Sequence, residues 1–280
     1  MRDQTFMTLM KLLPKSALSA AVGAATRARV PRAWHHALIR AFAARFRVDL
    51  AEAEHGPEGY ETFGQFFTRK LKPGLRPLEA GEKVVVSPVD GAVSQAGALD
   101  RDQCLQAKGI SFPVGKLVGD DLSAHAFQGG SFATLYLSPR DYHRIHAPLG
   151  GRVLGYSYLP GEFWPVNPTS VRNKEALFCV NERLITWMDT PAGLSAVVAV
   201  GATCVSRIHA AYDQVVTHTG QPSKIHRYPD AIPVQKGDEI GMFEMGSTVI
   251  LLFAAGKVRW DEWLRPEAAL RMGRRIGEVT

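Results

Sequence analysis

The chain has 280 residues, which is enough for one large domain or two modest ones around a sizeable core. Apolar residues make up 46% of it and charged residues 21%, proportions that exclude an intrinsically disordered chain. The formal net charge of +6 favours anionic partners: a nucleic acid, a phospholipid surface or an acidic substrate.

The cysteines and the apolar runs indicate where the protein resides. There are three widely spaced cysteines, Cys104, Cys179 and Cys204. They match neither a disulfide framework nor a metal knuckle, so we expect a reducing compartment. No run of 18 or more apolar residues exists, so no membrane-spanning helix is expected. Residues 18–25 suggest a signal peptide, but Lys11, Pro14 and Lys15 interrupt the apolar stretch, and we expect no cleavage there.

The first part of the chain, residues 5–47, is predicted to be helical, with a break at Pro14. A later helix in this part carries four large apolar side chains on one face: Trp34, Leu38, Phe42 and Phe46. Six arginines surround that face: Arg27, Arg29, Arg32, Arg40, Arg45 and Arg47. Two interpretations are open here. The helices either lie in the interface of an anionic membrane or pack on the core with solvated arginines.

Residues 49–80 are predicted to be a linking region with one short helix. Within it, residues 63–77 combine phenylalanines with basic side chains, among them Arg69 and Arg76. This mixture is compatible with a nucleic-acid patch, but a surface segment with a buried aromatic anchor is favoured.

From Val84 onward, short β-branched runs alternate with turns that contain glycine. The clearest runs are residues 84–86, 132–137, 153–159, 196–200 and 248–253. The pattern predicts an α+β fold: a β-rich, mainly antiparallel sandwich or open barrel, preceded by N-terminal amphipathic helices. The last stretch, from Asp261, is expected to return to helix or coil.

Two segments of the β-rich part contain side chains suited to acid–base chemistry. Asp90 lies at a tight turn after a strand, which on its own is an ordinary Asp-Gly turn. His143 and His146 are three residues apart, a spacing compatible with metal binding. No neighbouring glutamate or cysteine cluster completes a metal site, so no metal is expected. Proton transfer or orientation is favoured, with two surface histidines as the alternative.

A third segment, Gly246-Ser247-Thr248, brings a serine into a buried apolar strand. Gly246 has no Cβ, so its carbonyl is open to attack by the hydroxyl of Ser247. The chain order aspartate, histidine, serine is that of a base-activated serine. A nucleophile elbow requires Gly-x-Ser-x-Gly, but Met245 and Val249 occupy the glycine positions. The serine is therefore better placed to attack its own chain.

Together these segments resemble the phosphatidylserine decarboxylases, specifically the short, pyruvoyl-dependent bacterial enzymes. The resemblance covers nearly the whole chain. Its most specific block is Tyr136-Leu-Ser-Pro-Arg-Asp-Tyr-His-Arg-Ile-His146, at its distance from Gly246-Ser-Thr248. Other matching segments are residues 13–15, 63–69, 90–91, 159–161, 166–167, 181–183, 200–203 and 236–241. Met245 stands where the family usually has leucine, which is a near-isosteric apolar change.

The resemblance implies a proenzyme that cuts itself between Gly246 and Ser247. His146, with Asp90 behind it, would deprotonate Ser247, whose hydroxyl attacks the Gly246 carbonyl. The cut would leave a β chain of residues 1–246 and an α chain of residues 247–280.

The same resemblance implies the cofactor and the reaction. Ser247 would become a covalent pyruvoyl group, which forms a Schiff base with phosphatidylserine. The lipid would be decarboxylated to phosphatidylethanolamine and CO2, with His143 as the proton donor.

The resemblance also implies partners and a location. A lipid with two acyl chains stays in the bilayer, so residues 1–48 are expected to be membrane-associating helices and residues 49–280 the catalytic domain. The loop with Phe163 and Trp164 is expected to add to the contact. We expect a peripheral protein on the cytoplasmic side of the cell membrane, with the two fragments as a heterodimer that dimerises further, and no nucleic acid.

Three alternatives are open. A triad hydrolase acting on lipid esters would keep one intact chain and an ordinary serine. A non-enzymatic module binding anionic lipid or nucleic acid would be indifferent to loss of Ser247. A pyruvoyl-dependent amino-acid decarboxylase would need no basic membrane helices.

Overall fold

The computed structural model describes residues 2–107, 109–203, 207–244 and 248–280. The helices are α1 (Arg2–Leu12), α2 (Lys15–Arg27), α3 (Arg32–Phe46), α4 (Phe63–Phe67), α5 (Val114–Val118), α6 (Asp121–Ala124), α7 (Pro168–Asn173) and α8 (Leu177–Val180). The strands are β1 (Val84–Val86), β2 (Gly91–Ala98), β3 (Gln103–Ala107), β4 (Ile110–Pro113), β5 (Ser131–Tyr136), β6 (Arg144–His146), β7 (Gly151–Leu159), β8 (Arg183–Thr190), β9 (Gly193–Val200), β10 (Ile208–Ala210), β11 (Lys224–Val234), β12 (Glu239–Phe243), β13 (Thr248–Phe253), β14 (Val258–Trp260), β15 (Ala269–Leu270) and β16 (Arg275–Val279).

The largest sheet has eight strands in the order β11-β7-β8-β9-β13-β5-β2-β15, and neighbouring strands are antiparallel. Strand β13 lies inside this sheet and is buried along its whole length, as its continuous apolar run requires. Its first residue, Thr248, is opposite Tyr136 on one side and Val200 on the other. A second sheet has the strand order β10-β12-β6, and its strand β12 ends at Phe243, shortly before β13 begins at Thr248. The predicted α+β fold with an antiparallel body and N-terminal helices is confirmed.

The prediction for the C-terminal stretch was wrong. Instead of helix or coil, β16 forms the middle of a sheet between β1 and β14. Ile276 and Val279 are buried there. Gly277 and Glu278 between them interrupt the apolar pattern, so the sequence did not predict the strand. Arg275 forms ion pairs with Asp261 and Glu278, at 3.0 Å each.

The N-terminal helices pack on the body with one face and leave another open. Met7 and Met10 of α1 belong to the main apolar core, whereas Ile39 and Ala43 of α3 pack with the phenylalanines of α4 in a smaller cluster. Trp34 and Leu38, by contrast, are 78% and 50% exposed. Seven of the eleven exposed large apolar side chains in the described residues lie on residues 9–46: Leu9, Leu12, Leu18, Val30, Trp34, Leu38 and Phe46.

The expected membrane contact through the Phe163–Trp164 loop is contradicted by burial. The two side chains are only 2% and 4% exposed. Asn181 holds the loop, since its side chain accepts from the Trp164 backbone N–H at 2.9 Å and donates to the Trp164 carbonyl at 2.8 Å. Among the described residues, no helix is long and apolar enough to cross a membrane.

Candidate active site

His146 ends strand β6, and its imidazole is held by both ring nitrogens. Nδ1 lies 2.7 Å from the carbonyl oxygen of Gly237, and Nε2 lies 3.0 Å from the hydroxyl of Tyr142. A carbonyl can only accept, so Nδ1 carries the hydrogen, and Nε2 of the neutral ring accepts from Tyr142. Burial lowers the pKa of His146. The ring is therefore a neutral base whose free electron pair is directed at the tyrosine.

Asp90 lies in the same buried region but forms different hydrogen bonds. Its carboxylate accepts from Arg76 Nε at 2.9 Å and Nη2 at 2.5 Å, and from the backbone N–H of Met272 at 2.8 Å. Arg76 also donates to Glu52 at 2.7 Å. The described residues therefore contain no direct hydrogen bond between Asp90 and His146. The carboxylate acts on the imidazole through its charge, which opposes the effect of burial on the pKa of His146.

The turn after Asp90 requires glycine. Gly91 has φ +145°, and a Cβ there would lie 2.1 Å from the carbonyl oxygen of Tyr136. This close approach places Asp90 beside the end of β5, the strand that pairs with β13.

His143 is fully buried and stacks on Phe67 of α4, with ring centroids 4.2 Å apart. Neither ring nitrogen has a hydrogen bond of acceptable geometry in the described residues, although the nearby backbone of Ser138 and Pro139 opposes the pKa shift. Burial, together with the charge of Arg69, lowers the pKa of His143 to about 3. This histidine is consequently neutral at physiological pH.

Arg69 is a buried cation next to this histidine and is only 4% exposed. Its Nη2 donates to the backbone carbonyls of Arg140 and Asp141, at 2.9 and 3.4 Å. Its Nε and Nη1 have no hydrogen-bond partner among the described residues. Arg69 therefore fixes the turn that carries Tyr142 and His143. The predicted buried aromatic anchor is confirmed by Phe66 and Phe67, both 0% exposed.

Sequence reasoning missed the functional surroundings of the two histidines. Tyr142 lies in the block that carries the resemblance, but a role was predicted only for the histidines of that block. Arg69 and Arg76 were predicted to lie in a surface segment. The signal in the sequence was a group of basic side chains beside aromatic ones. A helix with a solvated basic face has the same composition, so the sequence could not distinguish the two.

The predicted scissile pair, Gly246 and Ser247, lies outside the described residues. The chain on either side is placed: Phe243 N–H donates to the His143 carbonyl at 3.0 Å, and Thr248 is opposite Tyr136. Beside Tyr136 lies a cavity of about 210 Å³ lined mainly by apolar side chains. Its lining includes Phe67, Thr203, Val166 and two residues of α3, Phe42 and Phe46.

The buried titratable side chains of this region are suited to proton transfer. Within the four described ranges, no group of three or more His, Cys, Asp and Glu side chains could hold a metal ion. The fold and site thus define an α+β protein with buried titratable side chains, Asp90, His143 and His146, on and near β6, which pairs with β12.

Comparison with known proteins identifies the family. The sequence profile described as phosphatidylserine decarboxylase matches residues 63–278, and a profile described as PSD matches residues 5–47. A relative from Myxococcus xanthus (strain DK1622), named phosphatidylserine decarboxylase proenzyme, is 66% identical over 280 residues and 100% of both chains. Relatives of the same name from Anaeromyxobacter sp. (strain K) and Azotobacter vinelandii are 53% and 46% identical, over 99% and 100% of both chains. The chain belongs to the phosphatidylserine decarboxylase family.

Proposed function

We propose that this chain is a proenzyme that cuts itself between Gly246 and Ser247 and then decarboxylates phosphatidylserine to phosphatidylethanolamine and CO2. The observation that carries the proposal is the full-length identity of 66% to a relative named phosphatidylserine decarboxylase proenzyme. The neutral, oriented imidazole of His146 and the buried His143 agree with it.

Self-cleavage needs a base for the serine hydroxyl. In the proposed step, the Tyr142 hydroxyl turns away from Nε2 of His146, and Nε2 takes the proton of Ser247, whose Oγ attacks the carbonyl carbon of Gly246. The peptide C–N bond breaks as the C–O bond of an ester forms. Elimination then leaves Gly246 as a carboxylate and the former serine as dehydroalanine, which is hydrolysed to a pyruvoyl group with loss of ammonia. Asp90 supports the imidazolium through its charge, since no direct hydrogen bond joins the two in the described residues.

Decarboxylation needs an electron sink and a proton donor. A pyruvoyl group formed at Ser247 would supply the sink for the electron pair released with CO2. We assign protonation of the substrate Cα to His143. The pKa of its resting imidazole is far too low for it to be charged, but an anionic headgroup beside it would raise that pKa and let it carry a proton.

The open face of the N-terminal helices supports a peripheral membrane location. Trp34 and Leu38 expose apolar surface, and arginines flank them on the same helix. Such a helix binds an anionic interface through both apolar burial and charge. We therefore propose docking by residues 1–48 on the cytoplasmic side of the cell membrane, with residues 49–280 as the catalytic domain. The α and β fragments stay together as a heterodimer, which dimerises further.

The proposal is tested by the products made from phosphatidylserine vesicles. Freshly purified protein should convert the lipid to phosphatidylethanolamine and release CO2, whereas the Ser247→Ala variant should make neither. Release of free fatty acid, with no phosphatidylethanolamine, would instead favour a triad hydrolase and overturn the assignment.

A further inference from the structure

Glu244, the last described residue before the scissile segment, is held by hydrogen bonds to several other described residues. Its Oε2 accepts from Arg27 Nη1 at 2.7 Å, and its Oε1 lies 2.8 Å from His209 Nε2. Its backbone N–H donates to the Arg207 carbonyl at 3.0 Å. The Glu244 side chain is only 12% exposed, so these bonds are formed in partly buried surroundings where charge-assisted hydrogen bonds are strong.

The contacts of Glu244 connect two distant parts of the molecule. Arg27 is the last residue of α2, one of the N-terminal helices, whereas His209 belongs to β10, which pairs with β12 in front of Glu244. On the other side of the scissile segment, Thr248 is held in the large sheet between Tyr136 and Val200. Only residues 245–247 separate these two fixed positions in the sequence.

We propose that Glu244 is a positioning residue for self-cleavage and that Arg27 and His209 fix it, an inference that rests on the proposed function. Attack of Ser247 on the Gly246 carbonyl is intramolecular, so its rate depends on how narrowly the chain between Glu244 and Thr248 is restrained. Release of Glu244 removes the fixed point on the Gly246 side of the attack, which makes the productive geometry less probable. The ion pair with Arg27 therefore makes self-cleavage depend on α2, apart from any effect of a membrane.

The experiment measures self-cleavage directly during cell-free synthesis, from the ratio of full-length chain to fragments over time. We expect Glu244→Ala and Arg27→Ala each to cleave about tenfold more slowly. This factor corresponds to an increase of about 1.4 kcal/mol in the activation free energy of cleavage. The exchanged pair Arg27→Glu with Glu244→Arg should recover part of the rate lost by either reversal alone, since it restores the ion pair but not the contact with His209. Asp189→Ala is the matched control, because it removes an ion pair of the same 2.7 Å length, with Arg152, remote from the site.

Two further measurements separate positioning from general stability. In the uncut Ser247→Ala background, Glu244→Ala should still unfold in one cooperative transition well above the temperature of the cleavage assay, so that slow cleavage is not caused by unfolding. Once cleaved, the Glu244→Ala enzyme should have the KM and kcat of the parent enzyme per cleaved molecule.

Each outcome bears on one claim. Parent-like cleavage of Glu244→Ala would overturn the positioning role, and parent-like cleavage of Arg27→Ala would overturn the dependence on α2. If the parent chain itself does not cleave, the proposed function fails instead.

Discussion

The orientation of His146 is set by a backbone carbonyl and a tyrosine. Gly237 holds the hydrogen on Nδ1, and the Tyr142 hydroxyl occupies Nε2, so the nitrogen needed as a base is already the unprotonated one. Asp90 is instead part of an ion network with Arg76 and Glu52. Its loss should therefore disturb the packing around the C-terminal segment through Met272 as well as the charge near the imidazole.

The two histidines should separate in function. His146→Ala should remain full length, because it removes the base for Ser247. His143→Ala should still cleave, but its turnover of phosphatidylserine should fall by about 10²-fold or more, which is the contribution of general acid catalysis. Gels of fresh protein and an assay of phosphatidylethanolamine formation distinguish the variants. An uncut His143→Ala together with a normally cleaved His146→Ala would reverse the two roles.

Buried neutral His143 also makes stability depend on pH. Its pKa is about 3 in the folded chain and 6.5 ordinarily, so below pH 6.5 the unfolded chain binds a proton that the folded chain does not. The contribution of neutral His143 to the free energy of unfolding is fully present above pH 6.5. It is lost as the pH falls from 6.5 towards 3, by at most about 1.4 kcal/mol per pH unit. The lowered pKa of His146 acts in the same direction.

This dependence is measured by urea unfolding of the uncut Ser247→Ala chain at pH 7 and pH 5. Replacing His143 by glutamine in that background should make the loss of stability at pH 5 smaller. Replacing the exposed His125 by glutamine is the control and should leave the loss as it is. If the His143→Gln chain lost as much stability at pH 5 as its parent, the lowered pKa of His143 would be contradicted.

At the residue scale, the sequence could predict the candidate groups but not their partners. Asp90, His143 and His146 are all buried. Their partners come from far along the chain: Met272 is 182 positions from Asp90, and Arg140 is 71 from Arg69. Side-chain patterns carry no information about such pairings, because they are set by strand order and packing.

At the scale of elements, α3 combines a packing face with an open apolar face. Ile39 and Ala43 pack on α4, while Trp34 and Leu38 face outward. The ring of Phe42 joins the two regions, since it lies edge-on to Phe63 at 5.0 Å. Helical periodicity predicted the helix and put Trp34, Leu38, Phe42 and Phe46 on one face. It did not separate Phe42, which packs on α4, from the exposed Trp34 and Leu38.

The open face is tested by point variants. Trp34→Ser with Leu38→Ser should weaken binding to anionic vesicles by tenfold or more, since burying each large apolar side chain contributes about 1.5–3 kcal/mol. Moderate salt should weaken the binding of the parent protein without abolishing it, because only the arginine part is screened. Co-sedimentation with vesicles measures both effects, and vesicle binding that the double variant leaves unchanged would place the contact elsewhere.

Activity on a short-chain, soluble phosphatidylserine is the control for these variants. It should fall less than activity on bilayer substrate, and equal loss on both would mean that the face serves the fold. Deletion of residues 1–47 is expected to release the protein from vesicles as well. It is a less clean test, however, because it also removes Met7, Met10 and Ile39 from the apolar clusters and Arg27 from Glu244.

At the scale of the whole molecule, the short β-branched runs and the glycine-containing turns between them were enough to predict an antiparallel α+β body, because both are local properties of the sequence. The sheet order was not predictable, since β13 pairs with β5 and β9 from well before it in the chain. The same long-range pairing corrects the C-terminal stretch, where β16 completes a sheet begun by β1. The wrong expectation for Phe163 and Trp164 has a similar cause, because the loop is buried by its bonds to Asn181.

The central claim is that Ser247 attacks its own chain and becomes the pyruvoyl group, and the intact mass of freshly purified protein tests it most directly. The account predicts two fragments, one ending at Gly246 and one of residues 247–280 that is lighter than the unmodified peptide by the mass of ammonia. The Ser247→Ala variant should give a single full-length mass. A single unmodified mass for active parent protein, or a 247–280 fragment with an ordinary N-terminal serine, would contradict the account.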